Sequence, residues 1–101
     1  VEYMGLNGGP IFKHSPAMSI LVYCDDQKEI DYYWEKLSAG GYEVECGWLT
    51  DKYGISWQIC PRIISECMST GSPEQVDRVM AEVMKMKKLE IAPIEKAFAM
   101  K

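Results

Sequence analysis

Histidine is almost missing from this chain: His14 is the only one among 101 residues. The four cysteines include no CxxC pair, and Lys85, Lys87 and Lys88 form the only basic cluster. No apolar run approaches the roughly twenty residues that a membrane-spanning helix needs. Each absence removes a class of function. A single imidazole with no second His or Glu beside it cannot complete a tetrahedral or octahedral metal site within one chain. Cys24, Cys46, Cys60 and Cys67 lack close pairing, and three of them fall on or beside apolar strands, so they read as buried free thiols rather than a disulfide framework. The first residues lack the basic-then-apolar pattern of a signal peptide, so a cytoplasmic, non-membrane protein is expected. With a formal net charge of -4, nucleic acid is not an expected partner, because phosphate recognition relies on clustered cations. The three lysines sit near the end of a predicted helix, where they complement its dipole.

The residues that are present point to one globular domain spanning 1–101, since 48% are hydrophobic and 26% charged. Residues 2–6 predict a short strand that ends at Asn7, Gly8, Gly9 and Pro10. Residues 17–24 are almost continuously apolar, which predicts a strand inside a sheet. Asp26 then caps a helix, with Glu29 three residues on and Ile30, Tyr33, Trp34 and Leu37 forming its apolar stripe. Gly40 and Gly41 end it.

Residues 46–59 predict a hairpin with a tryptophan on each arm, turning at Asp51, Lys52, Tyr53 and Gly54. Ile55, Trp57 and Ile59 alternate with Ser56, Gln58 and Cys60, so one face is apolar and the other small and polar. Beyond it the pattern is helical: a short helix over 61–68, then Ser72, Pro73 and Gln75 opening a second with Val76, Val79, Met80, Val83 and Met84 at helical spacing. Residues 91–100 predict a third helix, with Ile91, Ile94 and Phe98 on one side.

Several blocks carry a family likeness: Leu6 to Pro10, Val22 to Gln27, Asp31 to Trp34, Cys46 to Leu49 and Ser56 to Ile59. On these the chain resembles the PhnB-like branch of the glyoxalase, bleomycin-resistance and dioxygenase (vicinal oxygen chelate) superfamily, also filed as 3-demethylubiquinone-9 3-methyltransferase. The resemblance implies an α+β fold, a glyoxalase-like βαβββ module with a mixed sheet followed by C-terminal helices. Residues 17–60 would be the complete module, 1–10 the last strand of a truncated first module and 61–101 a helical tail.

Members normally pair two modules around a cup, so the resemblance implies a homodimer in which a second copy supplies the missing half. The tail could cover the same sheet face instead, within the chain or swapped between chains. Metal-dependent relatives hold a divalent cation with His and Glu at the start of the first strand and the middle of the last. Those positions fall on Ala17 and Gln58 here, and His14 lies three residues upstream of the first, so His14 is only a weak metal candidate and no cofactor is expected.

What remains is a cup whose candidate pocket walls are Tyr23, Trp48, Trp57 and Gln58, suited to a small planar or amphipathic ligand. The alternation places Trp57 with Ile55 and Ile59, which favours ordinary packing for that ring. The expected function is a dimeric small-molecule-binding protein with a degenerate metal site. Two alternatives follow from the resemblance. One is a metal-dependent lyase or dioxygenase with ligands shared across the dimer. The other, from the family name alone, is 3-demethylubiquinone-9 3-methyltransferase, although Gly5, Gly8 and Gly9 lead into Pro10 rather than the helix of a nucleotide-type loop.

Overall fold

Asp26 opens the first helix, α1 (Gln27–Ser38), by accepting a hydrogen bond at 2.9 Å from the Glu29 backbone N–H. Glu29 reaches back one residue further than a standard capping box, accepting from the Asp25 N–H at 2.9 Å. The predicted stripe of Ile30, Tyr33, Trp34 and Leu37 packs on the sheet with Cys24, Leu49 and Ile59. The computed structural model describes residues 1–100. Its elements are β1 (Ser19–Cys24), α1, β2 (Tyr42–Glu43), β3 (Trp48–Thr50), β4 (Ser56–Pro61), α2 (Arg62–Thr70), α3 (Pro73–Val83) and α4 (Ile91–Ala99). This is the expected α+β order, a βαβββ module followed by helices.

The sheet runs β1-β4-β3-β2, with β1 parallel to β4 and the other pairs antiparallel. Register fixes the faces. Leu21 lies opposite Gln58, Tyr23 opposite Cys60 and Trp48 opposite Gln58, so these five share the face away from α1. Leu49 lies opposite Trp57 on the α1 face. The strand predicted to lie inside the sheet is therefore corrected: β1 is an edge strand. Its apolar residues on both faces made it look central, yet Leu21 and Tyr23 each remain 43% exposed.

The expected strand over 2–6 does not form either. Residues 1–9 have no regular structure, and Tyr3, Met4 and Leu6 are exposed. A strand exists only where a neighbour supplies its ladder bonds, and none of these residues pairs with the sheet.

The helical tail makes its own core and covers the open sheet face only in part, where Cys60 packs against that core. Cys67, Val79, Val83, Leu89, Ile94 and Ala97 are buried together, with Ile63, Ile64 and Phe98 against them. Ser72 and Gln75 form the full capping box of α3. α3 stops at Val83, and Lys85, Lys87 and Lys88 follow it in an irregular strap of turn and bend, with the Lys85 N–H bonded back to the Glu82 carbonyl. Lys88 pairs with Asp31 of α1 at 2.8 Å, so its charge ties tail to module rather than complementing a dipole. No helix among the described residues is long and apolar enough to cross a membrane.

Gln27 fastens the strap. Its Nε2 donates to the Leu89 carbonyl at 3.0 Å, and its Oε1 accepts from the Ile91 N–H at 2.8 Å, which caps the otherwise uncapped start of α4. Gln27→Ala removes both and is expected to lower stability by about 2 kcal/mol, since each half-buried bond contributes roughly 1. Urea unfolding measures this; a loss under about 0.5 kcal/mol would show that water replaces the side chain.

Candidate functional site

The sheet face opposite α1 forms a groove with α2. Leu21 and Tyr23 of β1, Gln58 and Cys60 of β4, and Ile64 and Met68 of α2 line a cavity of about 540 Å³. Each element arrives for a simple reason. The two-residue period of β1 and β4 directs Leu21, Tyr23, Gln58 and Cys60 to one side, and Ile64 and Met68, four apart on α2, lie on one helical stripe. Pro61 ends β4 and directly precedes α2, which sets the helix beside the strand it leaves.

The four pocket candidates divide. Tyr23 and Gln58 line the groove, and Trp48 stands beside Gln58 on the same face by register. Trp57 does not join them: it packs with Trp34, Leu49 and Ile59 beneath α1, and its Nε1 donates to Asp51 Oδ2 at 2.9 Å. Leu21, Ile64 and Met68 were not singled out from sequence. The i, i+4 spacing of Ile64 and Met68 was a legible signal, but their facing the sheet depends on the crossing of α2.

Gln58 is held in place. Its Nε2 donates to the Ser19 hydroxyl at 2.8 Å, across the β1–β4 pair. Burial pushes the Cys60 thiol above its ordinary value, so it lines the groove as an uncharged group. Cys24, on the other face, is raised to about 11, first by burial and then by Glu29, with smaller effects from Cys60, Asp25 and Asp26. Neither thiol has the cationic surroundings that activate a nucleophile. All four cysteines are free.

Arg62 lies beside Tyr23. Its Nε donates to Asp25 at 2.8 Å and its guanidinium lies 5.7 Å from the Tyr23 ring centre.

His14 stands elsewhere, against the turn at Gly54, in cavities with Ser15 and Ser56 at the start of β1. Asp51 lines one of the same cavities, and its oxygens are already taken by the Tyr53 and Ile55 N–H groups and the Trp57 indole. Ala17 offers a methyl group, and the Gln58 amide is a weak neutral ligand bonded to Ser19. These residues do not fit a divalent cation, and no group of three or more His, Cys, Asp or Glu among the described residues converges on one point.

The profile of the 3-demethylubiquinone-9 3-methyltransferase family matches residues 1–60, more than half of the chain. The chain belongs to that family, the PhnB-like one. Among solved structures, a PhnB protein from Bacillus cereus, provisionally described as a 3-demethylubiquinone-9 3-methyltransferase, is 36% identical, with a TM-score of 0.49. The match covers 52% of this chain and 49% of the other, so the PhnB-like domain spans about half the length of that relative. None of the curated proteins matches it.

Proposed function

We propose that this PhnB-like domain is a small-molecule-binding protein of the glyoxalase-like superfamily, that it closes its cup as a homodimer, and that it works without a divalent cation at Ala17 and Gln58. The observation that carries the reading is β1. It is an edge strand with apolar side chains on both faces and an unpaired edge, and the groove beside it is open. Exposed apolar area and an unsatisfied strand edge both favour a partner surface, with burial contributing about 25 cal/mol per Å². A second copy presenting its own β1 answers both needs. In this reading residues 17–60 are the module that pairs across the dimer, and the helical tail follows it.

The family description names a methyltransferase. A doubly wound sheet with a glycine-rich turn between strand and helix is the usual support for S-adenosylmethionine, and the four-stranded mixed sheet has no such turn among the described residues. Binding is therefore the activity that the groove supports best.

Light scattering at increasing concentration tests the dimer. Two chains per particle are expected, and Leu21→Glu, which places a charge on the exposed face of β1, is expected to give one. A parent protein that stays a single chain at its highest soluble concentration overturns the dimer. Titration with Zn²⁺ or Mn²⁺ tests the cation: one bound per chain, lost in His14→Ala, overturns the metal-free reading.

A further inference from the structure

We infer that the groove takes a neutral, largely apolar small molecule carrying one hydrogen-bond donor, and that Gln58 selects it through its carbonyl oxygen. This rests on the binding reading above and narrows it to a ligand class.

The first support is charge. None of the side chains lining the groove is charged at neutral pH: the walls are aliphatic, aromatic, hydroxyl, thiol, thioether and amide groups. A charged ligand entering it would lose hydration and meet no counter-charge. The cation beside Tyr23, Arg62, is already committed to Asp25 and to the face of that ring. The volume of about 540 Å³ suits a molecule of one or two fused rings with room for water.

The second support is the amide. Ser19 takes one of the Gln58 N–H groups at 2.8 Å, which holds the side chain across the strand pair. Its Oε1 receives no hydrogen bond from the described residues, in a half-buried position on the groove wall. An apolar ligand that covers this oxygen without offering a donor strips its water and replaces it with nothing. A ligand with an O–H or N–H at that point replaces the lost bond. Ser19 acts through Gln58 and is a positioning residue.

Three matched probes test the inference: a naphthol, its methyl ether and the corresponding naphthoate, with affinities measured by equilibrium dialysis against the full chain. The naphthol is expected to bind at least about tenfold more tightly than the ether, the worth of one replaced hydrogen bond. It should also outbind the naphthoate. Gln58→Leu is expected to bring naphthol and ether to equal affinity with an unchanged circular dichroism spectrum. Ser19→Ala should shrink the naphthol-to-ether ratio while ether affinity stays within about twofold of the parent. Equal binding of naphthol and ether by the parent overturns the role of Gln58 and leaves the groove standing. Tightest binding by the naphthoate overturns the neutral class. Failure of all three probes overturns the inference together with the binding reading beneath it.

Discussion

Gly41→Ala is expected to unfold this protein more readily than any exchange in its loops, lowering stability by about 3 kcal/mol or more. A Cβ built at Gly41 would lie 2.0 Å from the Thr50 carbonyl oxygen and 2.7 Å from the Asp51 carbonyl carbon. Both atoms are backbone, so no rotamer change relieves the overlap. The end of β3 has to move, and with it the pairing of Tyr42 with Thr50. Gly40→Ala is the built-in control. There the φ of 79° favours glycine, but the nearest atom is Lys52 Cβ at 3.1 Å, a contact that a shift of a few tenths of an ångström relieves. Its cost is expected near 1 kcal/mol, the strain of a left-handed residue. Thermal melts separate the two: Gly41→Ala should melt on the order of 15 °C lower for a domain of this size, and Gly40→Ala a few degrees lower. A Gly41→Ala variant that melts within about 3 °C of the parent would mean that β3 does not approach the helix end this closely.

The two glycines also show what the sequence could and could not disclose. Gly40 and Gly41 were legible as the end of α1, because a left-handed residue after a helix is a local need that glycine meets. That Gly41 sits against the next strand was not legible, since the approach is set by a contact nine residues away. The same line divides the rest. Asp26, Ser72, Pro73 and Gln75 act on their own helices, and the starts of α1 and α3 fall where they indicate. The alternation from Ile55 to Cys60 gave the two faces of β4. The edge position of β1 was not legible, because apolar residues on both faces occur equally in a central strand and in an edge strand awaiting a partner. Lys88 looked like a helix-end cation, and its bond to Asp31 depends on the strap crossing α1.

The site divides in the same way. Tyr23, Trp48 and Gln58 share a face by the strand period, which sequence shows, together with the register of β1 on β4, which it does not. Trp57, one residue from Gln58, had to point the other way. Ile64 and Met68 entered the groove only through the direction in which α2 leaves Pro61.

Asp51→Asn is expected to cost about 3 kcal/mol at neutral pH and to make acid unfolding shallower. The carboxylate accepts from the Tyr53 N–H at 2.8 Å, the Ile55 N–H at 3.0 Å and the Trp57 indole N–H at 2.9 Å. An amide has one acceptor oxygen, so at least one of these donors would face an NH₂ group. Bonds to a charged acceptor are worth roughly 1.5–3 kcal/mol each, and partial exposure of this turn places the sum at the low end. Partial burial pushes the Asp51 carboxyl up, but the bonds from Trp57, Ile55 and Tyr53 and the nearby His14 outweigh it, leaving the pKa below the ordinary value of 3.8. The sign follows from that depression. The carboxylate's stabilising effect is fully present above its unfolded pKa of about 3.9 and is lost as pH falls through the lower folded value. The parent should therefore lose stability below about pH 4, while Asp51→Asn, already without the charge, should lose less over the same range, so the gap between them narrows. Urea unfolding from neutral pH down to about pH 3 measures it. A gap that stays constant across that range would show that the turn is held by its backbone bonds alone, from Gly54 N–H to the Asp51 carbonyl and from Asp51 N–H to the Ile55 carbonyl. The consequence reaches the groove. Asp51 pins the Trp57 indole on one face of β4, and Gln58 takes the next position on the other. Freeing the indole lets the strand twist at the residue beside the selecting amide, so Asp51→Asn is also expected to weaken naphthol binding, although residue 51 lines no part of that groove.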